Sequence, residues 1–507
     1  MSIQEFFRGR NVFITGATGF MGKVLVEKLA RSCPGIGKIC ILVRHKKGKD
    51  LNHRIKEILD VPLFDTIKEQ KPGLMEEKLL PLKGDMTELR LGLSDEDYDF
   101  LVKNVSVIFH VAASVRFDES IKDATIMNVR GTREVVQLAK QVDNLAVLLH
   151  VSTAYCNCIR ENVKEKIYEA PIGWREMITI AENLDPAESS ILTKKLLGTF
   201  PNTYTLTKLL AEQIINDERN NLPLVLFRPS IVISSASDPI KGWIDNFNGP
   251  IGLMVASGKG VVRVTYGKKS IIPDYMAVDI SIKSMITAAW YRTVSNLPGD
   301  NSIAVYNSAS VSKSISNEEL ITLGMKCLKE YPFEEILWYP SIIFTNCFYY
   351  FYIISMLTQV LPAICLDKIM DWLGKPHRRL LPIQQKIYVI TMALSYFTTQ
   401  SWKFENKNFL NLIDKISEAD RKEFNYNFEN IEAMVFLKNA AVGAQKYLFN
   451  IDHSRLPIAK RKMKRYMWIN RIVKTMGLIV LVLVLIRFNI IPSALLRSIC
   501  CFKSIIT

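Results

Sequence analysis

A strand-like run, "NVFITG", passes through closely spaced glycines into "ATGFMGKVLVEKLA", and no other stretch of the 507-residue chain limits its fold so strongly. Branched and aromatic residues of strand length give way to apolar residues at Val24, Leu25, Leu29 and, less regularly, Val26, which reads as a strand running directly into a helix. Gly16, Gly19 and Gly22 occupy the turn. In such a turn the first glycine permits the bend and the second removes a Cβ where backbone must approach a pyrophosphate. The third lets helix and strand pack closely. Free amides and the positive end of the helix then attract phosphates. The arrangement predicts a dinucleotide site, with Thr15, Thr18 and Phe20 as further contacts beside the glycines.

The following segments keep the same rhythm. "KICILVR" reads as a second strand, followed by "LLPLKGDM", by "VSVIFHVAA", by a helix through "NVRGTREVVQLAKQ", and by the strand "LAVLLHVSTAY". Strands alternating with helices predict an α/β fold, a doubly wound parallel sheet with helices on both faces. Ligands of such sheets lie beyond the carboxyl ends of the strands, where Ala112 falls.

The second strand also bears on the choice of cofactor. An NAD site usually presents a carboxylate there for the adenine ribose, whereas this strand ends in "LVRHKKGK", with Arg44, Lys46 and Lys47. Such a cluster attracts a 2′-phosphate, so NADPH is expected over NADH; the plain alternative is a solvated basic loop. Asp85, in "KGDM", is placed to meet the adenine ring, or is simply a turn aspartate.

A catalytic pair follows. "PNTYTLTKLLAEQ" sets Tyr204 and Lys208 four residues apart on a helix, hence on one face, about fifty residues after a strand that ends in Ser152 and Thr153. A tyrosine hydroxyl with a pKa near 10 is a poor acid or base by itself, and an adjacent ammonium favours its phenolate. That arrangement suits proton delivery to a carbonyl oxygen as hydride reaches the carbon, with Thr153 or Ser152 holding the oxygen.

Charge and hydropathy point to a membrane. The formal net charge is +15, and a dense basic cluster from Lys460 to Lys474 directly precedes the apolar run that starts at Met476. Anchors carry positive charge in this position, so the excess reads as membrane-facing rather than as a nucleic-acid surface. Residues 472–496 are the expected transmembrane anchor, with a helix lying in the interface as the alternative. From Ile336 to Leu366 no residue is charged. That run contacts lipid or forms a buried or surface-lying helix pair. Nine scattered cysteines, and no secretory pattern before the first strand, fit reduced thiols in the cytosol. Cys156 and Cys158 lack partners at ligand spacing, and no metal site is expected.

Taken together, the glycine turn, "FHVAASVRFDE", "NVRGT", "HVSTAY", "YTLTK", "RPSIV" and "GWIDNFNGPIGL" resemble the alcohol-forming fatty acyl-CoA reductases, a membrane-associated branch of the extended short-chain dehydrogenase/reductases. The likeness is strongest from Asn11 to Asp279. It implies an NADPH-binding Rossmann-type domain over residues 1–330, the apolar segment 336–366, and a smaller helical male sterility domain over 367–460. It also implies Gly16, Gly19 and Gly22 as the phosphate turn, Arg44 as the 2′-phosphate ligand, Tyr204 and Lys208 as the catalytic pair, and Thr153 as the hydroxyl partner. Asn128 matches an asparagine that supports the active-site helix, Pro229 and Ser230 lie where the nicotinamide is covered, and "GWIDNFNGP" matches a substrate-side loop. The implied reaction reduces long-chain fatty acyl-CoA with NADPH, expels CoA to leave an aldehyde, and reduces that in turn to the alcohol, with no covalent cysteine. The catalytic domain is expected to face the cytosol on endoplasmic reticulum or peroxisome. A membrane-bound steroid or sugar-nucleotide dehydrogenase shares the glycine turn and the Tyr/Lys pair, and a cofactor-binding scaffold would lack that pair.

Overall fold

Long apolar strands can be buried on both faces only inside a layered domain. In the computed structural model, which describes residues 1–45, 50–295, 303–311, 314–374, 379–429, 431–451 and 453–488, seven of them form one sheet. They are β1 (Asn11–Thr15), β2 (Ile39–Val43), β3 (Leu79–Lys83), β4 (Val105–His110), β5 (Val147–Val151), β6 (Leu224–Pro229) and β7 (Ala304–Ser308). Their order is β7-β6-β5-β4-β1-β2-β3, and every neighbouring pair is parallel. The order reverses between β1 and β4, which opens a crevice at the carboxyl edge there.

Alternation along the strands sorts the core into two layers. Val12 and Ile14 of β1 join Val107, Phe109, Leu149 and Phe227 beneath α1 (Phe20–Ser32) and a long helix, Val278–Val294. Phe13, Ile108 and Leu148 point the other way, toward α2 (Gly131–Gln141) and α3 (Thr203–Asp217). Burial of each such side chain contributes about 1.5–3 kcal/mol. The doubly wound fold expected from the alternating strands and helices is therefore present.

The chain beyond the sheet is helical, and it returns to the sheet. Phe409, Phe424, Tyr426 and Phe428 belong to the same buried layer as α1. Glu165 accepts the amides of Asn307 and Phe409, each at 3.0 Å, and Asp420 accepts the amide of Ile3 at 2.8 Å. Two short parallel ladders add to this, Lys403–Phe404 on Asn162–Val163 and Ile343–Thr345 on Val264–Tyr266.

The uncharged run 336–366 is not one helix. Ile336 is buried in a small core, the short strand at Ile343–Thr345 follows, and the continuous helix α4 (Phe348–Trp372) begins only afterwards. It is followed by α5 (Leu381–Thr399), and the described chain ends in α6 (Leu456–Arg487), a single helix of 32 residues. Its first turns pack through Ala459, Met463 and Asn470, and from Ile472 onward most of its apolar side chains are exposed. Among the described residues α4 and α6 are the helices long and apolar enough to cross a membrane. The part of the expected 472–496 anchor after Phe488 lies outside them.

Candidate active site

The phosphate turn is built as its glycines require. Gly16 has φ +76°, a left-handed value that disfavours any side chain, and a Cβ there would stand 2.6 Å from the Ala112 amide nitrogen. A Cβ on Gly22 would run into the backbone of Gly16 and Ala17. Gly19 caps α1 and offers no side chain to its first amides, which belong to residues lining the crevice. Thr18, Gly19 and Phe20 line that space together with Ala112. Thr15 lies beneath it: its hydroxyl meets His110 Nδ1 at 2.8 Å and accepts the Ala112 amide at 3.3 Å.

His110 extends the connection across the sheet edge. Its Nε2 meets Thr132 Oγ1 at 2.9 Å, and that hydroxyl donates to the Asn128 carbonyl at 2.6 Å. Burial, with the Lys208 charge nearby, pushes the imidazole down to about 3, so the ring is neutral and links two hydroxyls without charge. Asn128 then uses its whole amide: Oδ1 accepts the Ser114 amide at 2.8 Å, and Nδ2 donates to the Ser114 carbonyl at 3.1 Å and to Thr207 Oγ1 at 3.0 Å. It clamps the loop after β4 to α3.

α3 opens with Asn202 accepting the Thr205 amide at 2.9 Å, which sets Tyr204 in the first turn and Lys208 one turn later. Burial pushes the Tyr204 phenol up, against a smaller lowering by the Thr153 hydroxyl, so the phenol keeps its proton at neutral pH. Lys208 is buried, and Nζ donates to the Val151 carbonyl at 2.6 Å at the end of β5. Burial lowers its ammonium to about 8. The pair therefore differs from the simple expectation of an ammonium that draws tyrosine toward phenolate. The carbonyl holds the buried cation, and the effect of desolvation on the phenol wins. Thr153, whose hydroxyl donates to the Pro229 carbonyl at 3.4 Å, lines the cavity together with Tyr204, and Ser152 is buried beside it.

Opposite these residues Pro229 ends β6 and Ser230 lines the crevice with a buried Oγ that has no protein partner. Arg44 and Asp85 are paired with each other, Nε to Oδ2 at 2.8 Å, and Asp85 also accepts the amide and hydroxyl of Thr87. Asp85 is thus first a partner of Arg44, because its carboxylate sits on the neighbouring strand end. The Arg44 side chain remains 55% exposed. Lys46 and Lys47 lie outside the described residues.

"GWIDNFNGP" divides its roles. Trp243 stacks on Phe20 at 5.4 Å and Asp245 pairs with Lys23 at 2.7 Å, so the loop is bound to the first turns of α1, while Asn246 to Pro250 line the cavity. A loop expected only on the substrate side also secures the phosphate turn. The cavity itself measures about 2570 Å³ and is walled by the phosphate turn, Thr153, Tyr204, Lys208 and, from the far part of the chain, α5.

Several contributors escape sequence reasoning. Phe117 stacks on Tyr204 at 5.9 Å, and Phe397 of α5 meets Phe117 at 5.6 Å. Arg228 and Glu212, both fully buried, pair at 2.6 Å and tie α3 to β6. Glu212 also accepts from Cys156 Sγ at 3.1 Å, and burial pushes that thiol well up, leaving it unsuited to nucleophilic work. "RPSIV" marked the strand but not this ion pair, and nothing around Phe397 marks it at all.

Comparison with known proteins places this site in a family. Two family profiles, both described as male sterility protein, match residues 14–285 and 358–451. Fatty acyl-CoA reductase 1 of Xenopus laevis is 37% identical over 467 residues, 92% of this chain and 90% of that protein. Its Homo sapiens counterpart is 36% identical over the same shares. Fatty acyl-CoA reductase wat of Drosophila melanogaster is 32% identical, over 92% of this chain and 88% of its own. Among solved structures, the terminal R domain of the myxalamid biosynthetic pathway superposes with a TM-score of 0.56 at 17% identity, covering 87% of this chain and 92% of that one. The reductase domain of a nonribosomal peptide synthetase from Mycobacterium tuberculosis gives 0.56 at 19% identity, with the same shares covered. These two likenesses show the fold.

Proposed function

The chain belongs to the fatty acyl-CoA reductases, oxidoreductases that act on fatty acyl groups, and from that premise we propose that it reduces long-chain fatty acyl-CoA to the primary alcohol with two NADPH, releasing CoA. The observation that carries this reading is the placing of Tyr204 and Thr153 together in a cavity shared by the phosphate turn and the apolar helix α5. A carbonyl at that pair has an acidic proton, a second hydroxyl, and an apolar wall for its tail.

The residues present fit the cofactor. The cradle at Gly16 and Gly22 that a Cβ would fill, the uncapped amides of α1 and the unpartnered Ser230 Oγ supply the contacts a dinucleotide needs. Thr18, Gly19 and Phe20 would hold its phosphates, Arg44 the 2′-phosphate, and Pro229 and Ser230 the nicotinamide end. When bound, NADPH supplies hydride. Tyr204 and Thr153 hold the acyl oxygen in both rounds, first of the thioester and then of the aldehyde. In the second round Tyr204 yields its proton to the forming alkoxide, and the Lys208 ammonium, oriented by Val151, stabilises the charge left on the phenol. Asn128 acts through α3 as a positioning residue.

The basic cluster before the exposed part of α6 supports an anchor with the catalytic domain on the cytosolic side. The reaction is tested with full-length protein in detergent, NADPH and a panel of acyl-CoAs, with lipid products identified by mass. Two NADPH per alcohol is the expected balance, with Tyr204→Phe losing about 10²-fold or more in turnover while still binding cofactor. Free aldehyde accumulating at one NADPH per chain, with cofactor in excess, would overturn the four-electron assignment.

A further inference from the structure

α5 carries apolar side chains at Ile383, Ile387, Ile390, Leu394 and Phe397, spaced alternately by four and three residues and hence on one face. All five line the cavity. The stripe begins at the catalytic phenol, because Phe397 meets Phe117 and Phe117 stacks on Tyr204. From Phe397 to Ile383 it extends about 21 Å, the order of length of an extended long-chain acyl group. It is not a closed wall, for Ile390 is 56% exposed.

The surface it opens onto is also apolar. α4 turns Tyr349, Ile353 and Leu357, four residues apart, outward with at least half of each side chain exposed, and it carries no charge before Asp367. α4 and α5 are held together by the stacked rings of Phe351 and Tyr388 and by Asp367, which accepts the amides of Leu380 and Leu381. A soluble surface seldom shows so continuous an apolar face. What covers it is indicated by α6. Gln359 of α4 accepts the Arg263 amide at 2.6 Å, the Arg263 guanidinium lies over Trp338, and Trp338 Nε1 donates to Asn470 at 2.8 Å. Asn470 is the last buried residue of α6. The apolar helix therefore leaves the folded body beside α4, and a bilayer that receives one reaches the other.

We propose that the outer face of α4 and α5 rests in lipid hydrocarbon, and that the acyl tail passes between bilayer and Tyr204 along the stripe from Ile383 to Phe397. This rests on the acyl-CoA reading above. The tail then reaches the site without entering water, and α5 serves as both cavity wall and doorway.

Full-length protein in phosphatidylcholine vesicles containing a lipid with a photoactivatable diazirine in its acyl chain tests the surface. Labelled peptides should cover Tyr349 to Leu357 and Val389 to Ile390 as well as the exposed part of α6. Labels confined to α6 would overturn the proposal. The double variant Ile353→Lys/Leu357→Lys, outside the cavity lining, tests the route. A charge costs heavily in hydrocarbon, so turnover of hexadecanoyl-CoA in vesicles should fall about tenfold while that of octanoyl-CoA in detergent stays within about twofold. Unchanged hexadecanoyl-CoA turnover in vesicles, or an equal fall with both substrates, would remove the doorway. If wild-type protein reduced no acyl-CoA at all, the reaction would be wrong, and the labelling pattern would still decide where α4 and α5 lie.

Discussion

Asn128 donates to the Thr207 hydroxyl at 3.0 Å while holding both polar atoms of the Ser114 backbone, so one side chain joins the β4 loop to the helix that carries Tyr204. Asn128→Ala strands these groups in a buried setting, where each unsatisfied partner costs about 1–3 kcal/mol. Turnover is expected to fall about ten- to a hundredfold through misplacement of Tyr204. Cofactor affinity, measured by fluorescence titration, should change little, since Asn128 touches the phosphate turn only through Thr132 and His110.

Lys208 sets an alkaline limit. Burial lowers its folded pKa from 10.5 to about 8, so the ammonium is present below that pH and is lost as pH rises through it. Tyr204 is shifted upward and keeps its proton over the same range. The logarithm of kcat/KM should therefore be level below pH 8 and decline above it, by about tenfold per pH unit. A profile that stays level to pH 10 would show that catalysis does not need the charged form.

Arg44 faces Asp85 at one edge and solvent at the other, which leaves guanidinium donors for a phosphate. Arg44→Asp places two carboxylates together and should weaken NADPH binding about ten- to a hundredfold, the loss of a charge-assisted hydrogen bond, while NADH is spared. Equal loss with both cofactors, read by calorimetry, would assign Arg44 a structural role.

A chain ending at Arg471 keeps the packed turns of α6 and loses its exposed apolar part. Resistance of membrane attachment to alkaline carbonate should be lost, because a face of α4 and α5 that only dips into one leaflet holds far less firmly than a spanning helix. Attachment that survives unchanged would move the anchor to α4.

Much of the site was legible because its chemistry is local. Gly16, Gly19 and Gly22 lie within one turn, Tyr204 and Lys208 within one helical turn, and the strands announce themselves by apolar runs. What the chain brings together over distance was not. Phe397 reaches Phe117 from the helical region, Arg228 finds Glu212 across a layer boundary, and His110, kept neutral by burial, links Thr15 to Thr132. The Tyr204 shift also depends on burial, which spacing does not report. Nor does spacing report that the Lys208 ammonium is held by the Val151 carbonyl.

The cavity wall comes from a part of the chain made long after the sheet. Once Ser308 has left the ribosome, all seven strands, the phosphate turn and the catalytic helix can assemble, yet α5 is still to be translated. At roughly 5–20 residues per second the interval lasts seconds. During it the nascent domain has a crevice open along one side, and the wall proposed to receive an acyl chain follows well after the sheet, ahead of the apolar helix α6.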